Sequence, residues 1–313
     1  MKTGLFSHPD CLGHAPPRGH PECPQRLEAV LKSLDGPEFH GLRRETAPQA
    51  SRESLRRAHA GAMIGDILDR LDGEARVAGY AAIDGDTVMS PGSATAALRA
   101  AGAVIAAVDS VMAGAMGNAF CAVRPPGHHA ERTRAMGFCL FNNIAVGAMH
   151  ARAVHGLSRI AVVDFDVHHG NGTQDIFFDD SNLFYASTHQ MPLYPGTGFA
   201  NERGVAGNVL NRPLRPGAGS TDFRAIYSDF VFPALEGFAP EFIFISAGFD
   251  AHRDDPLAQL NLVDDDFHWV TREICAIAAR VCDNRVVSSL EGGYDLDALA
   301  RSSAAHVRAL MEA

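Results

Sequence analysis

Short apolar runs alternate along the chain with longer segments whose apolar residues recur every three or four positions. The runs predict strands and the recurring positions predict helices, because strand side chains alternate while helix side chains return to one face about every 3.6 residues. The predicted strands are 120–123, 160–163, 183–186, 242–246 and 286–290. The predicted helices are one after Pro24, one over 64–71, then 93–116, 142–155, 222–237, 265–282 and one after Asp295. This alternation predicts an α/β fold, with a central, mostly parallel sheet covered by helices on both faces.

The composition fits a single folded domain over residues 1–313. Hydrophobic residues make up 46% of the chain and charged residues 20%, which is enough apolar material for a large core and excludes a disordered class. No internal repeat or linker-like tract divides the sequence. The net charge of −10 argues against a nucleic-acid partner. The most apolar stretch, 100–108, is about half of the roughly 20 residues that a membrane span needs, so no membrane partner is expected.

The cysteines and the first residues indicate a cytoplasmic location. The six cysteines are scattered without a C-x-x-C pair, so we expect reduced and mostly buried thiols. The first ten residues, MKTGLFSHPD, lack the apolar core of a secretory signal.

Polar clusters follow five of the predicted strands. In open parallel sheets, sites lie beyond the carboxyl ends of the strands, so these clusters are predicted to converge on one rim. They are Arg124-Pro-Pro-Gly-His128-His129, Asp164-Phe-Asp166-Val-His168-His169-Gly-Asn171, Ser187-Thr188-His189, Ala247-Gly-Phe-Asp250-Ala-His252 and Glu291-Gly-Gly-Tyr294.

Asp166, His168 and Asp250 form a candidate metal site. If the strand before Asp166 continues, its alternation turns Asp166 and His168 the same way, and Asp250 arrives from another strand. An Asp-x-His on its own is more typical of a surface turn, but a third ligand after a second strand favours a metal. Three protein ligands with an open position are typical of catalytic zinc.

The histidine pair, His128 and His129, supplies candidate acid and base groups beside such a metal. One imidazole can take a proton from a bound water while the other gives or holds a proton at a leaving amine. Asp164 and Asn171 can orient the two rings, and the carboxylate favours the charged form of its partner. The hydroxyl of Tyr294 can stabilise an oxyanion. Together these groups predict metal-assisted hydrolysis of an amide.

Seven motifs in order along nearly the whole chain resemble the histone deacetylase family, whose members have the arginase–deacetylase fold. The motifs are His20-Pro-Glu-Cys-Pro-Gln-Arg26, Arg124-Pro-Pro-Gly-His-His129, Gly137-Phe-Cys-Leu-Phe-Asn-Asn143, Val163-Asp-Phe-Asp-Val-His-His-Gly-Asn-Gly-Thr173, Tyr194-Pro-Gly-Thr-Gly198, Gly248-Phe-Asp-Ala-His252 and Glu291-Gly-Gly-Tyr294. One branch of the family has Asp at the position of Asn171, and the asparagine here resembles the class II branch and its bacterial relatives. The resemblance implies a zinc-dependent deacetylase.

The resemblance also implies particular roles. One zinc ion per chain is expected, on Asp166, His168 and Asp250, with His128 and His129 as the acid/base pair and Tyr294 as the group that polarises the carbonyl. Asp164 is expected to hold His128, and Asn171 to hold His129. Family members bind a structural potassium ion as well, and the matching positions are Asp164, Asp166, His168, Ser187 and Thr188.

Positions that match the family's acyl-lysine tunnel indicate the substrate. Gly137, Phe138 and Tyr194 match its walls, and Tyr194 replaces a phenylalanine of many relatives. Leu257 lies near the glutamate that polyamine-selective relatives carry, so it favours acyl-lysine. The expected rim and product-channel residues are Asp86, with Asp84 as its competitor, and Arg26.

Three alternatives remain open, and all concern the chemistry of the same site. A deacetylase of acetylated polyamines or of another small acylated amine would keep the reaction and change the substrate. A binuclear ureohydrolase would need more carboxylates, where this chain has Asn171 and His252. The third alternative is an inactive acyl-lysine binding protein. The expected partners are an acylated peptide, protein or small amine, and a homo-oligomer is possible.

Overall fold

The computed structural model describes residues 2–313, and its centre is an eight-stranded sheet. The strands are β1 (Thr3–Ser7), β2 (Arg43–Thr46), β3 (Ala81–Ala82), β4 (Val88–Met89), β5 (Asn118–Cys121), β6 (Ile160–Asp164), β7 (Leu183–Gln190), β8 (Val209–Leu214), β9 (Phe242–Ala247) and β10 (Val286–Leu290). The order across the sheet is β2-β1-β5-β10-β9-β6-β7-β8, and every neighbouring pair is parallel. β3 and β4 form a separate antiparallel pair.

Helices connect the strands. The α-helices are Pro24–Ser33, Arg52–Arg56, Gly61–Gly65, Asp72–Ala78, Ser93–Met112, Asn143–His155, Asn171–Phe177, Ser220–Ile226, Phe232–Phe238, Asp264–Val281 and Leu296–Glu312. The π-helical turns are Asp66–Leu71 and Tyr227–Val231, and the short 3-10 turns are Pro9–Gly13 and Pro37–Phe39.

Helices cover both faces of the sheet, as the strand registers show. His306 of the C-terminal helix contacts the ring of Phe120 in β5. Gly147 belongs to a different helix, and a side chain there would meet Phe244 of β9. The registers across β10 place Phe244 level with Ala119, the neighbour of Phe120, so the two contacts lie on opposite faces. The predicted α/β fold with one covered parallel sheet is therefore confirmed.

The predicted strands are all present, but sequence patterning missed β1, β2 and β8 of the large sheet and the separate pair of β3 and β4. β2 and β8 are the two edges of the sheet. The residues of β2 are Arg-Arg-Glu-Thr, and β8 contains Pro213. Edge strands tolerate charged residues and proline because one side of the ladder has no neighbour. Their sequences consequently lack the apolar run that predicts a central strand.

Three helices differ from their predicted extents. The helix predicted over 64–71 is part of a longer helical segment, 61–78, that contains the π-helical turn Asp66–Leu71. The helix predicted over 93–116 ends at Met112, and Gly114 adopts a positive φ of 68° just beyond it. The helix predicted over 222–237 contains the π-helical turn Tyr227–Val231 immediately before Pro233. Proline lacks an N–H and its ring crowds the preceding turn, so a widened turn at this place accommodates it.

The helix Ser93–Met112 has 20 residues and is long and apolar enough to cross a membrane. It is the one such helix within residues 2–313, and 56% of its most apolar window is buried inside the protein. It packs against the helix Asn143–His155 and against β1, β5 and β10. Its apolar composition thus matches its position against the sheet.

The buried His306 predicts how stability depends on pH. Burial lowers its pKa from 6.5 to about 3, whereas an unfolded chain protonates histidine near its ordinary value. Between these two values the unfolded state binds a proton that the folded state excludes, so the free energy of unfolding falls as the pH falls through this window. In His306→Gln this dependence should be shallower by about 1.4 kcal/mol per pH unit, as measured by urea unfolding between pH 4 and 6. His40→Gln, an exposed control, should keep the wild-type slope; equal slopes for all three proteins would contradict the assignment.

Candidate active site

The predicted site residues meet at the carboxyl ends of five adjacent strands. β5, β10, β9, β6 and β7 are consecutive in the sheet, and four of them lead directly into the predicted clusters. β7 differs from the prediction, because it extends to Gln190 and contains Ser187 and Thr188 within the strand. Ser187 is paired with Asp164 in the register of β6 and β7, so it still lies beside the site.

The loop after β6 is shaped by its own aspartates. The strand ends at Asp164, so strand alternation does not orient Asp166 and His168 as the sequence pattern implied. Instead, the Asp164 carboxylate accepts a hydrogen bond from the Asp166 N–H (3.1 Å), and the Asp166 carboxylate accepts one from the His168 N–H (2.8 Å). Aspartate side chains commonly bond the backbone two residues further on, and two such turns in succession fold this loop.

Asp166, His168 and Asp250 form a buried cluster of three metal-binding residues, with ligand atoms within 4.8 Å of one another. His168 Nδ1 lies 3.1 Å from Asp166 Oδ1 and 3.1 Å from Asp250 Oδ2. Backbone amides hold the remaining oxygens: the N–H of Val167 donates to Asp250 Oδ1 (2.9 Å), and the N–H of Gly292 donates to Asp166 Oδ2 (2.8 Å). The three side chains are therefore fixed before any ion binds.

These residues fit a divalent metal ion. Burial and the charge of Asp166 raise the pKa of Asp250, as expected for two carboxylates that share a site with too little positive charge. A Cβ at Gly292 would collide with both carboxylates, and one at Gly248 would collide with Asp166, so glycine lets the backbone wrap closely around them. Two carboxylates and one imidazole form a donor set that zinc accepts.

The two adjacent histidines have opposite protonation. Nδ1 of His128 lies 3.0 Å from Asp164 Oδ2, and Nδ1 of His129 lies 2.8 Å from Asn171 Oδ1. Burial opposes a charge on His128, but Asp166 and Asp164 outweigh it and raise its pKa to about 10. Burial, together with the charges on His128 and His168, lowers the pKa of His129 well below its ordinary value. His128 is therefore the cation of the pair, and His129 is neutral.

The tautomer of His129 follows from its partner. The amide group of Asn171 donates to Glu131 Oε1 (2.8 Å), which turns its oxygen towards His129. This oxygen can only accept, so Nδ1 of His129 carries the hydrogen and Nε2 keeps a free electron pair. Asp164, the partner of His128, also accepts a hydrogen bond from the hydroxyl of Tyr185 (3.0 Å).

A cavity of about 210 Å³ leads to this cluster. His129 and His168 lie in its wall together with Tyr294, whose pKa is raised by burial, so its hydroxyl keeps its proton at neutral pH. The remaining lining residues are Asp86, Gly137, Phe138, Leu193, Tyr194 and Leu257. The structure thus brings all five predicted substrate-binding residues to one cavity.

The wall at Phe138 is held in an uncommon backbone conformation. Phe138 has a φ of 66°, which is unusual for a bulky residue, and its N–H donates to the hydroxyl of Thr87 (3.1 Å). Thr87 in turn donates to Asp86 Oδ1 (3.0 Å), whereas Asp84 accepts backbone N–H groups of its own loop. Of the two competing rim candidates, Asp86 is therefore the one in the cavity wall.

The other predicted positions lie around this centre. Arg26 is fully buried behind Tyr294, with its guanidinium carbon 4.8 Å from the ring centroid. It donates to Glu22 and to the carbonyls of Glu291 and Gly293. For the predicted potassium site, the Ser187 hydroxyl contacts His189 (2.8 Å) and the Thr188 hydroxyl donates to Tyr227 (3.3 Å); this site stays a prediction.

Sequence analysis did not single out Asp255 and Glu291 as supports of the site. Asp255 accepts hydrogen bonds from the N–H groups of Leu257 (3.0 Å) and Tyr294 (2.7 Å), which joins two parts of the cavity wall. Glu291 Oε2 accepts the N–H groups of Gly127 (2.6 Å) and His128 (3.1 Å). Glu291 belongs to a motif quoted above, whereas Asp255 does not. The N–H groups of Tyr294, Gly127 and His128 are far from these acids in the sequence.

Fold and site together define an α/β protein with a histidine- and aspartate-rich centre at the end of a parallel sheet. The model of the histone deacetylase domain matches residues 20–310. The chain is 39% identical to Histone deacetylase 14, chloroplastic, of Arabidopsis thaliana over 98% of this chain and 76% of that protein. It is 40% identical to the Histone deacetylase-like amidohydrolase of Pseudomonas aeruginosa over 93% and 75% of the two chains.

A solved structure agrees with these relatives. The crystal structure of the HDA15 HD domain superposes with a TM-score of 0.93 at 34% identity, and covers 99% of this chain and 88% of that one. The chain belongs to the histone deacetylase family. Its relatives are named as deacetylases and an amidohydrolase, which indicates a hydrolase that acts on acyl amides.

The cluster predicts that removal of one carboxylate abolishes tight metal binding. Asp250→Asn should bind Zn²⁺ more than about 100-fold more weakly than wild type, because changes outside the ligand set alone cost roughly 10–100-fold. Equilibrium dialysis of the metal-stripped proteins measures this. Asp254→Asn is the matched control, since this exposed residue in the same loop pairs with Arg301 (3.3 Å). Wild-type affinity in Asp250→Asn would exclude it as a ligand.

Proposed function

We propose that the protein is a zinc-dependent deacylase that removes an acetyl or other acyl group from the side-chain nitrogen of acylated lysine. The observation that carries the proposal is the convergence of Asp166, His168 and Asp250 with His129 and Tyr294 at one cavity. A metal-binding cluster, a neutral imidazole and a phenol in one place match the requirements of amide hydrolysis.

Asp166, His168 and Asp250 would hold the zinc ion. When bound, zinc supplies a Lewis acid for the acyl carbonyl and a lowered pKa, of roughly 7, for a water molecule. The backbone amides of Val167 and Gly292 hold the carboxylates in place, so the ligands need little rearrangement.

The acid and base roles follow from the protonation of the two histidines. His129 is neutral, has its free electron pair on Nε2 and lines the cavity, so it is the group that accepts the proton of the attacking water. His128 is held charged by Asp166 and Asp164, so it is the group that holds a proton for the departing amine. Asn171 keeps the His129 ring in the required tautomer without adding a charge.

Tyr294 stabilises the negative charge that develops on the acyl oxygen. Its raised pKa keeps the hydroxyl protonated, so it donates a hydrogen bond at neutral pH. The backbone bond from Tyr294 to Asp255 and the stacking of Arg26 on the ring fix its position. Arg26 keeps its predicted place beside the product channel as part of this proposal.

The cavity favours a lysine side chain as substrate. Phe138, Leu193, Tyr194 and Leu257 offer an apolar wall to an unbranched methylene chain, and Asp86 at the wall can accept backbone N–H groups of a peptide. Leu257 offers no charge to a second amine, which separates this reading from that of a polyamine deacetylase. The net charge of −10 suits basic peptides.

The ureohydrolase alternative has less support. The catalytic cluster contains three metal-binding residues. Asn171 bonds His129, and His252 faces Asp254 and Asp264 at 3.5 and 3.3 Å. Both positions at which extra carboxylate ligands were considered are therefore engaged elsewhere, which supports a single ion in this cluster.

A panel of acylated amines tests the proposed reaction. Zinc-loaded protein should release acetate from acetyl-lysine peptides far faster than from acetylputrescine, and a chelator should stop turnover until zinc is restored. A large preference for acetylputrescine would favour the polyamine alternative. Peptide binding without release of acetate would favour an inactive binding protein. Longer acyl groups in the same panel measure the acyl preference of the cavity.

Tyr294→Phe tests the oxyanion role separately from metal binding. Loss of one such donor typically costs roughly 10²–10³ in kcat, so kcat for an acetyl-lysine peptide should fall by about this factor. Zinc content should stay at the wild-type level, because Tyr294 is outside the ligand cluster. Tyr80→Phe, an exposed tyrosine, is the matched control. Full activity of Tyr294→Phe would remove the oxyanion assignment.

A further inference from the structure

A second group of metal-binding side chains lies outside the site described above. Asp109 belongs to the helix Ser93–Met112, and His150 and His155 belong to the adjacent helix Asn143–His155. The first residue of the latter helix, Asn143, bonds the carbonyl of Pro125 near the histidine pair. His155 is the last residue of the same helix, so it lies about 18 Å further along the helix axis.

The three side chains converge on one point. Nε2 of His150 and Nε2 of His155 each lie 2.7 Å from the same oxygen, Asp109 Oδ1. The two ring centroids are 5.7 Å apart with an angle of 70° between the planes, so the rings approach the carboxylate from different directions. Two imidazole nitrogens and one carboxylate oxygen form a donor set that suits zinc, nickel or copper better than calcium or magnesium.

The surroundings leave this cluster accessible. The His150 ring is buried, which fixes one donor, whereas Asp109 is about half exposed and His155 is partly exposed. Solvent can therefore complete the coordination of an ion on the outer side. Exposure also means that Asp109 and His155 can be substituted without opening the core.

Arg57 opposes metal binding at His150. Nη1 of Arg57 lies 2.9 Å from Nδ1 of His150, and a guanidinium can only donate, so Nδ1 accepts and Nε2 carries the hydrogen. A metal ion on Nε2 requires this hydrogen to leave or to move to Nδ1, where it would face Arg57. Arg57 has a second partner nearby, because its Nη2 lies 3.5 Å from Glu53 Oε1. If the Arg57 side chain turned fully towards Glu53, its hydrogen bond to His150 would break and Nδ1 of His150 would be free to carry the hydrogen.

We propose that Asp109, His150 and His155 bind one transition-metal dication, which clamps the helices Ser93–Met112 and Asn143–His155 together, and that Arg57 weakens this binding. The site goes beyond the proposed catalytic function and does not depend on it. An ion that binds only the folded state stabilises the fold in proportion to the logarithm of its concentration. These two helices contact the strands of the central sheet, so the clamp would stabilise the scaffold of the active site.

Zinc stoichiometry tests the proposal. Wild type dialysed against increasing free Zn²⁺ should bind two ions per chain, with a rise in Tm as the second one binds. His155→Ala and Asp109→Asn should each lower the affinity for the second ion at least about tenfold and lose the rise in Tm. His40→Ala, an exposed histidine elsewhere, should behave as wild type. A wild-type stoichiometry that stays at one ion, or two ions in His155→Ala, would overturn the site.

The Asp250→Asn variant distinguishes this site from the catalytic one. In that background the second ion should still bind and should be lost in the double variant with His155→Ala. If Asp250→Asn keeps both ions while His155→Ala loses one, the catalytic assignment fails and the helix site stands. If the Asp250→Asn variant binds no ion at all, the helix site is excluded.

Arg57→Ala tests the opposing charge. Removal of a cation next to His150 should raise the affinity for the second ion by about tenfold, and this change should be absent when His155 is also replaced. Unchanged affinity in Arg57→Ala would exclude the opposition assigned to this residue. Calcium at the same concentrations should leave Tm unchanged; a calcium-dependent rise that His155→Ala abolishes would contradict the nitrogen-based donor set.

Discussion

The candidate active site depends on two carboxylates, Asp166 and Asp250, that are buried on either side of one imidazole. Carboxylates in a protein interior are costly unless hydrogen bonds and positive charge compensate them. His168 supplies part of that charge, and the amides of Val167 and Gly292 supply hydrogen bonds. The remaining excess of negative charge makes the cluster suited to a divalent ion.

The parallel sheet makes this arrangement possible. Adjacent parallel strands all end at one edge, so loops from β5, β6, β9 and β10 meet there although they are far apart in the chain. The close fit of these loops requires small residues between them. Side chains at Gly248 or Gly292 would occupy the space of the carboxylates. The rigid sheet thus supplies the position, and glycine allows the approach.

The same excess of negative charge gives the two histidines of the pair different protonation states. His128 faces Asp164 and the negative cluster, so its charged form is favoured, whereas His129 faces the neutral Asn171 and two positively charged rings. Two chemically identical neighbours therefore obtain different protonation from the different charges that surround them. Of the two rings, only that of His129 lines the cavity.

Sequence by itself determined the alternation of buried strands and helices, because apolar periodicity reflects burial. It also identified Asp166, His168 and Asp250, since metal-binding residue types follow predictable strands. Edge strands such as β2 and β8 escaped detection, because an edge needs no apolar run.

Tertiary structure alone decided the contacts that depend on distant backbone groups. Asp255 bonds the amide of Tyr294, and Glu291 bonds that of His128, and neither partner is marked by a side chain pattern. The loop after β6 turns through aspartate–backbone bonds where periodicity implied a continuing strand. The cluster of Asp109, His150 and His155 likewise appears only when two helices pack side by side. A backbone N–H is the same at every residue other than proline, so its role is set by the fold and leaves no trace in the sequence.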